Sequence, residues 1–196
     1  MNDRFPDWNT IYDEQEADTM GWYYPELDPD LKEILIERNL ISGMFLDLGT
    51  GPGTQAEGLA KIGFSVTATD ISREAIELAA KKYSDVEFLQ DDVLNSALNR
   101  KFDFIFDRGC FHVFDEKQRQ AYLLNIVNLL KEGGLLFLKC FSDKEPEVGK
   151  GPYRFSKKMI NNFFVKDFFI ESVKDTIYQG TRLPAAKALF IIMKRT

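Results

Sequence analysis

Residues 44–53 read MFLDLGTGPG, a short apolar run followed by three alternating glycines. The run carries Asp47 near its end, and an amphipathic segment begins directly after Gly53. This order predicts a buried strand, a tight turn and a helix N-terminus, the unit with which α/β proteins bring backbone close to a nucleotide-like ligand. Glycine is needed in such a turn where a Cβ would block the approach or where φ is positive.

The glycine spacing separates two classes of ligand. A dinucleotide fingerprint reads G-x-G-x-x-G and aims a helix N-terminus at a pyrophosphate. Here Gly49, Gly51 and Gly53 bring the third glycine one residue early, and Thr54 stands where the fingerprint has glycine. Asp47 would lie beside the ligand, and a carboxylate suits a cationic group better than a diphosphate. The turn alone is a weak signal.

Three later apolar runs also lead into polar turns at their ends. They are residues 64–70, ending in Asp70; residues 86–89, followed by Asp91 and Asp92; and residues 102–106, followed by DRGCFH at 107–112. Ligands in open α/β sheets bind outside the carboxyl ends of the strands, so four such ends in order predict one site along that edge. Asp70 can accept both hydroxyls of a ribose, because an ionised carboxylate has two acceptor oxygens.

The motifs LDLGTGPG, ATD, QDDV, FDFIFDRG and KEGG resemble, in this order, the successive motifs of class I S-adenosylmethionine-dependent methyltransferases. The resemblance covers residues 30–196. DRGCFH, together with Trp8 and Tyr12 spaced as W-x-x-x-Y, is similar to the small-molecule branch, which includes thiopurine, thiol and halide, and tellurite-resistance-type enzymes. S-adenosylmethionine has no phosphate and carries an ammonium group, in agreement with the acid in the turn.

Strands alternating with helices predict an α/β fold, a Rossmann-like seven-stranded and mostly parallel sheet with helices on both faces. Helices are expected after the caps Asp28 and Ser72 and at residues 116–131, and the last three strands at 135–140, 168–177 and 188–194. The resemblance adds an antiparallel last strand beside the fifth. Residues 1–28 are interpreted as an N-terminal aromatic and acidic lid segment, and residues 29–196 as a single methyltransferase domain.

The resemblance implies the residues that hold the cofactor, S-adenosyl-L-methionine. They are Trp8, Asp47, Gly49, Thr50, Gly51, Gly53, Asp70, Ile71, Asp91, Asp92, Val93 and Arg108. Asp70 would take the ribose hydroxyls, and Ile71 would lie against the adenine. Which of Asp91 and Asp92 faces the adenine edge stays open, and a local N-cap or a solvated turn is the alternative for both.

Methyl transfer requires alignment of the reacting groups and exclusion of water. A thiol or selenide acceptor needs hardly any base, whereas an alcohol or amine needs one. The predicted catalytic residues are Arg108, which would position an anionic substrate or the cofactor carboxylate, and His112. His112 is the only histidine and the one near-neutral base; the alternative is a helix-start histidine tied to backbone.

The acceptor side is expected to come from Tyr12, Trp22, Tyr153 and Arg154. Residues 20–25, MGWYYP, are unusually aromatic and are interpreted as a lid, with anchoring to the core as the alternative. A loose basic cluster would favour an anionic acceptor or form a solvated face. Its members are Lys150, Arg154, Lys157 and Lys158.

Composition narrows the class of partner. The first 30 residues carry nine acids against Arg4, a net charge of −8 within a total of −6, and nucleic acid binding relies instead on clustered Lys and Arg. No apolar stretch approaches the ~20 residues of a membrane span, and the start lacks a signal-peptide pattern. Two cysteines and one histidine indicate neither a disulfide framework nor a metal site. We therefore expect a cytoplasmic small-molecule enzyme, monomeric or homodimeric, with no nucleic acid or membrane partner.

Three functions remain open at this stage. The first is methyl transfer to a soft nucleophile, a thiol, selenium or tellurium species. The second is O- or N-methylation of a metabolite with His112 as base. The third is a non-catalytic domain that binds S-adenosylmethionine.

Overall fold

The computed structural model describes residue 5 and residues 7–147 and 151–196, and in this part of the chain seven strands form one sheet. The strands are β1 (Met44–Leu48), β2 (Ser65–Asp70), β3 (Glu87–Gln90), β4 (Phe102–Arg108), β5 (Leu130–Phe141), β6 (Phe168–Tyr178) and β7 (Ala186–Arg195). The helices are α1 (Trp8–Glu14), α2 (Pro29–Glu37), α3 (Thr54–Ile62), α4 (Arg73–Lys82), α5 (Glu116–Leu129) and α6 (Lys157–Phe164). Short 3₁₀ turns lie at Ala17–Thr19, Val93–Asn95 and Phe111–Val113.

The strand order is β3-β2-β1-β4-β5-β7-β6. All pairs from β3 to β5 are parallel, and β7 runs antiparallel to both β5 and β6. This confirms the predicted fold class, including the antiparallel last strand beside the fifth. The register pairs Leu48 with Thr69 on one side and with Asp107 on the other, so the polar ends of β1, β2 and β4 meet at one edge.

Apolar side chains that alternate along the central strands fill both faces of the sheet. On one face, Leu46 and Leu136 belong to a buried cluster with Tyr122 of α5 and Ile160 of α6. On the other face, Phe45, Phe106 and Phe137 cluster with side chains of α2 and α3, such as Leu31 and Leu59. Helices therefore cover both faces, and the carboxyl edge of the parallel strands is left for a site.

Two helices were not predicted, and one helix ends earlier than expected. In α1, Asp7 accepts a hydrogen bond from the Asn9 amide, and in α6, Ser156 accepts one from the Met159 amide. The helix expected to reach residue 131 ends at Leu129, because Leu130 already pairs with Phe102 in the sheet. Within the described ranges, no helix is long and apolar enough to cross a membrane.

Candidate active site

The glycine turn has the backbone conformation that the sequence predicts. Gly49, Gly51 and Gly53 have φ values of 65°, 51° and 78°, all in the left-handed region that glycine adopts without strain. The Gly51 amide donates to Asp70 Oδ2 at 2.9 Å, and the Thr50 amide donates to the Thr69 carbonyl at 2.9 Å. The turn after β1 is therefore fixed to the end of β2 before any ligand arrives.

Gly51 has a second constraint, because the Tyr12 hydroxyl occupies the space that a Cβ would take. Gly51→Ala is expected to weaken binding of S-adenosylhomocysteine at least ~10-fold, since left-handed backbone costs a non-glycine residue about 1–2 kcal/mol before the clash is counted. Isothermal titration calorimetry measures the change. Gly133→Ala is the matched control, because Gly133 also has a left-handed φ, 72°, but lies in β5 and is not among the described residues that line the cavity at the carboxyl edge of the sheet. Equal affinities for the two variants would contradict the prediction; Tyr12→Phe should restore part of the loss.

Two buried carboxyl groups face this turn. Asp47 accepts a hydrogen bond from the Thr50 hydroxyl at 2.5 Å. Burial raises the pKa of Asp47 to about 7, although the Thr50 hydrogen bond and the charge of Arg108 act in the opposite direction. Burial also raises the pKa of Asp70, against hydrogen bonds from the amides of Ser72, Gly51 and Ile71. Within the described part of the chain, neither carboxyl group forms a salt bridge with a lysine or arginine, and Asp47 is suited to pair with a ligand ammonium.

The pair Asp91 and Asp92 has local hydrogen bonds as well as access to the site. Asp92 caps the 3₁₀ turn by accepting from the Leu94 amide at 2.9 Å, and Asp91 accepts from the Ala97 amide at 2.8 Å. One oxygen of each is used in these bonds, so Asp92 has the geometry of the N-cap alternative, and Asp91 closes the loop between residues 91 and 97. Which of them contacts adenine stays a prediction.

Asp107 is a site residue that the sequence interpretation left without a role. Its fully buried carboxylate accepts hydrogen bonds from the Tyr122 hydroxyl at 2.7 Å and from the amides of Cys110 and Phe111 at 2.8 and 2.9 Å. Burial raises the pKa of Asp107 to about 6 in spite of these bonds. The carboxylate holds the turn after β4 in shape. Its signal was present, since Asp107 follows the same strand-then-acid pattern as Asp47.

Arg108 lines the cavity, and its guanidinium also holds three protein acceptors. Nε donates to Asp28 Oδ2 at 2.9 Å, Nη1 to the Trp22 carbonyl at 3.0 Å, and Nη2 to the Gln179 carbonyl at 2.5 Å. Its side chain is 7% exposed and lies over the Tyr178 ring. Each nitrogen thus donates to a protein acceptor, and direct contact of Arg108 with an anion stays a prediction.

His112 is buried in the 3₁₀ turn after β4. Its Nδ1 accepts a hydrogen bond from the Phe141 amide at 3.2 Å, which places the proton of the neutral ring on Nε2. Burial, with the charges of Arg108 and Arg154, lowers the pKa of His112 to about 3. On the Nδ1 side, His112 is tied to backbone, as in the alternative interpretation. Nε2 carries the proton of the ring and forms no hydrogen bond with a described residue.

The aromatic residues of the N-terminal segment pack against the core and also line the cavity. Tyr12 and Met20 are buried in a small cluster with Ala75 of α4, and Trp8 and Trp22 pack against it. The Trp22 indole donates to the Tyr12 hydroxyl at 3.4 Å. That hydroxyl lies at Gly51, in the turn predicted to hold the cofactor, and contact of Tyr12 with the acceptor stays a prediction. Opening of this segment stays a prediction.

Residues 151–156 contact the 3₁₀ turn that carries His112. The Tyr153 amide donates to the His112 carbonyl at 2.7 Å. Arg154 donates from all three guanidinium nitrogens to carbonyls of Glu145, Pro146 and Pro152, so it holds this segment together. Neither residue is among the described residues that line the cavity, and their contact with the acceptor stays a prediction. Lys150 of the predicted basic cluster lies outside the described residues.

A cavity of about 1160 Å³ opens at the carboxyl edge of the sheet. Most predicted site residues line it: Trp8, Tyr12, Trp22, Asp47, Gly49, Thr50, Gly51, Asp70, Ile71, Asp91, Asp92, Val93, Arg108 and His112. Gly53, Tyr153 and Arg154 are not among its described lining residues; Gly53 instead packs closely against Ala79 and Phe88. Single ligand sites measure about 300–1,000 Å³, so there is space for two molecules.

Comparisons with known proteins identify the family. Residues 45–134 match the family model described as a methyltransferase domain. An uncharacterized methyltransferase of Schizosaccharomyces pombe is 32% identical over 127 residues, which is 61% of this chain and 83% of the relative. The chain belongs to the S-adenosylmethionine-dependent methyltransferases.

Other relatives of this methyltransferase differ in their acceptors. The mitochondrial ubiquinone biosynthesis O-methyltransferase of S. pombe is 34% identical over 121 residues, which is 57% of this chain and 43% of the relative. Probable thiol methyltransferase 2 of Arabidopsis thaliana is 30% identical over 147 residues, 72% of this chain and 65% of the relative. The chain thus spans less than two thirds of either protein, and no acceptor follows from the matches.

Solved structures agree on the fold. A structure described for conversion of a disulfide bond into a thioacetal group during echinomycin biosynthesis superposes with a TM-score of 0.82, covering 95% of this chain and 90% of the other, at 23% identity. A methyltransferase from Anabaena variabilis gives 0.78, with 96% and 93% coverage and 20% identity. At these identities the likeness concerns the fold.

The residues of the cavity fit the cofactor of this class, S-adenosylmethionine. Asp47 is buried at the cavity and suits an ammonium group, and Asp70 suits vicinal hydroxyls. When bound, the cofactor supplies a methyl group already activated on a sulfonium. What remains for the protein is to bind it, align the acceptor and exclude water.

Aromatic side chains from three elements line the other end of the cavity, and no local sequence pattern predicts that they meet. The ring centroids of His112 and Phe141 lie 4.8 Å apart, and those of His112 and Tyr178 lie 5.7 Å apart and stack. Phe141 ends β5 and Tyr178 ends β6, so β7 lies between their strands. Alternation along a strand predicts a face, but it does not predict that the ends of two strands meet.

Proposed function

We propose that this methyltransferase transfers the methyl group of S-adenosylmethionine to a small-molecule acceptor with a soft nucleophile, a thiol or a selenium or tellurium species. The observation that carries the proposal is the state of His112. Its Nδ1 accepts from the Phe141 amide, and the low pKa of about 3 keeps the ring neutral, so Nε2 donates and does not accept.

A donor in this position favours acceptors that ionise without help. A thiol has an unperturbed pKa of about 8.5, so a useful fraction is thiolate near neutral pH, and the thiolate is the nucleophile. An alcohol would have to transfer its proton to a base in the transition state. At the acceptor end of the cavity the described side chains with charge are Arg108 and Arg182, and each already pairs with a carboxylate, Asp28 and Glu145 respectively. Neither supplies an unpaired positive charge to the acceptor.

The shape and polarity of that end support an apolar, flat acceptor. His112, Phe141 and Tyr178 present three rings, and Phe114 and Ala186 add apolar surface. The Tyr178 hydroxyl donates to the Arg108 carbonyl at 2.8 Å, so the ring and not the hydroxyl is offered to a ligand. An aryl thiol uses such a site better than an ion such as selenite, because it buries apolar area.

O- or N-methylation is the second candidate, favoured by the similarity to the ubiquinone biosynthesis O-methyltransferase. It requires His112 to accept a proton at Nε2, which is possible only in the tautomer protonated at Nδ1. This tautomer loses the hydrogen bond from the Phe141 amide, and the proton transfer leaves the ring as imidazolium. Burial and two arginines oppose the imidazolium. Binding of the cofactor without catalysis is the third candidate, and turnover of any acceptor excludes it.

Substitution of His112 separates the first two candidates. His112→Asn keeps an acceptor near the Nδ1 position but loses the distal donor, whereas His112→Gln keeps a donor near the Nε2 position. We expect kcat/KM for a thiol to fall about 10-fold in the asparagine variant and less in the glutamine variant, the size of one hydrogen bond. A fall of about 1,000-fold in both variants would support a base instead.

The pH profile gives an independent test. For a series of aryl thiols, the rise of kcat/KM with pH should follow the pKa of each thiol and should not change in His112→Asn. If kcat/KM for all the thiols instead rose at one shared pH, and this rise were absent in His112→Asn, the donor role of His112 would be contradicted.

The acceptor class itself is tested with labelled S-adenosylmethionine and a panel of aryl thiols, thiopurines, sulfide, selenite, tellurite, phenols and amines, with Asp70→Ala as control. Turnover confined to thiols and chalcogen anions is the expected result. Turnover of phenols or amines alone would support the second candidate. The cytoplasmic location, the oligomeric state and the absence of nucleic acid or membrane partners stay predictions.

A further inference from the structure

Two segments form one wall over the cavity. The strap is residues 20–28, and the β6–β7 turn is residues 179–185. Trp22 of the strap and Arg182 of the turn line the cavity. The Thr181 hydroxyl donates to the Met20 carbonyl at 3.0 Å, and Gly180 lies so close to the Gly21 backbone that a Cβ would overlap it. The two segments therefore meet along their lengths.

Arg108 ties both segments to the sheet. Its Nη1 donates to the carbonyl of Trp22 in the strap, and its Nη2 donates to the carbonyl of Gln179 in the turn. Its Nε pairs with Asp28 at the end of the strap. One planar group from the end of β4 thus fixes three points of the wall, a geometry that a single ammonium does not reproduce.

Lys139 completes the attachment from β5. Its side chain is fully buried, and Nζ lies 2.8 and 2.7 Å from the two carboxylate oxygens of Asp28, 2.7 Å from Asp30 Oδ2 and 2.6 Å from Gln179 Oε1. The strap and the turn therefore share two buried cations and two acids. Every charge has a partner of opposite sign.

Such a cluster is a costly way to stabilise a fold. Removing charges from water costs several kcal/mol per ion, and apolar residues of the same volume often serve stability as well or better. What the cluster does provide is a fixed position for the groups it joins, because hydrogen bonds are directional and several of them converge here. Since its bonds end on the carbonyls of Trp22 and Gln179, the geometry it fixes is that of the cavity wall.

The same strap is attached to the cofactor side. Gln55 of α3, two residues after Gly53, accepts from the Asp28 amide at 2.8 Å and donates to the Glu26 carbonyl at 2.9 Å. The strap is thus bonded both to α3, which starts at the glycine turn, and to Arg108 at the end of β4.

We propose that Arg108 and Lys139 are positioning residues: they hold Trp22 and the β6–β7 turn over the acceptor end of the cavity, and Arg108 acts through this wall instead of on an anion. The activity arm of the test rests on the proposed function. The binding and fluorescence arms do not.

The test uses Arg108→Lys, which keeps a charge beside Asp28 and gives up the simultaneous bonds to both carbonyls. The chain has two tryptophans, so Trp22 is the sole one in a Trp8→Phe background. We expect acrylamide quenching of Trp22 fluorescence to rise at least twofold on introducing Arg108→Lys. In the otherwise native chain, KM for an aryl thiol should rise at least tenfold, while Kd for S-adenosylhomocysteine changes less than threefold.

Arg38→Lys is the matched control, because Arg38 forms an ion pair with Glu171 far from the wall and is partly exposed. It should leave all three quantities unchanged. Gln179→Ala removes one of the side-chain acceptors of Lys139 and leaves Arg108 in place. It should shift quenching and KM in the same direction by a smaller factor. Because this second variant tests the same wall, a folding defect in Arg108→Lys does not decide the outcome.

Unchanged Trp22 quenching in both wall variants would overturn the proposal. A rise of Kd for S-adenosylhomocysteine above tenfold with unchanged quenching would also overturn it, because Arg108 would then act on the cofactor directly. If wild type shows no turnover of any thiol, the proposed acceptor fails, and the quenching and Kd values still decide the role of Arg108.

Discussion

Replacing Asp70 with asparagine is expected to raise Kd for S-adenosylhomocysteine about 100-fold. The Asp70 carboxylate accepts from the amides of Gly51 and Ser72, at 2.9 Å in both cases. An asparagine amide would turn its NH₂ group towards one of these N–H donors, so one amide would lose its acceptor. Charge-assisted hydrogen bonds contribute about 1.5–3 kcal/mol each, and the loss of one at the turn and one to the ligand gives the expected factor.

Calorimetric titration of folded protein measures this effect. Asp85→Asn is the control, because Asp85 is exposed on a loop and accepts only from the Ser84 hydroxyl. An affinity of the Asp70 variant within threefold of wild type would show that neither the turn nor the ligand depends on this carboxylate.

The second large effect is a loss of stability of the ligand-free protein as pH rises, caused by Asp47. The pKa of Asp47 is about 7 in the folded state, against 3.8 for an aspartate side chain exposed to water. Above pH 4 the unfolded chain releases this proton while the folded chain keeps it, so stability falls through the window from about pH 4 to pH 7 and then levels off. Three units of pKa correspond to about 4 kcal/mol over the whole window.

Urea unfolding at pH 5 and pH 7.5 isolates the effect when wild type is compared with Asp47→Asn. Wild type should lose about 2.5 kcal/mol more between these values than the variant. Asp107, whose pKa is raised to about 6, is present in both proteins; its charge also raises the pKa of Asp47, so the comparison measures Asp47 together with this coupling. Saturating S-adenosylhomocysteine should reduce the wild-type loss, because its ammonium favours the ionised Asp47. Parallel pH slopes for wild type and variant would exclude Asp47 as the cause.

The cofactor half of the site follows from local sequence. Strand, turn and helix at residues 44–62 are determined by neighbouring residues, and the acid at each strand end recurs in order. Asp47, Gly51 and Asp70 line the cavity as expected for this reason. The antiparallel β7 came from the resemblance, because periodicity predicts a strand but not its direction.

The acceptor half depends on contacts distant in sequence. Lys139 lies within an apolar run of β5, where a lysine is normally placed on an exposed face, yet it is fully buried. Asp28 and Asp30, about 110 residues earlier, make that burial tolerable. Asp28 was predicted only as a helix cap, a role that it also fulfils. No local pattern relates these residues to Arg108.

The missed helix α6 has a local signal that was outweighed. Ser156 caps it, and the buried Ile160 and Phe164 follow at helical spacing. The prolines and glycines at residues 146–152 directed the interpretation towards a loop. Helix boundaries beside such residues are decided by packing, here of Phe164 against Phe111 and Phe168.

The sheet order has a consequence for how such an enzyme acquires new acceptors. The family match ends at residue 134, so Phe141, Tyr178 and Arg182 lie downstream of it, while His112 and Phe114 of the same cavity end lie within it. A chimera that exchanges residues 135–196 between relatives would therefore change the Phe141 and Tyr178 part of the acceptor end and keep His112 and Phe114 of the recipient. It should function only when the recipient's residues 28 and 108 match the incoming lysine at 139, which makes that buried charge pairing the compatibility requirement between the two halves.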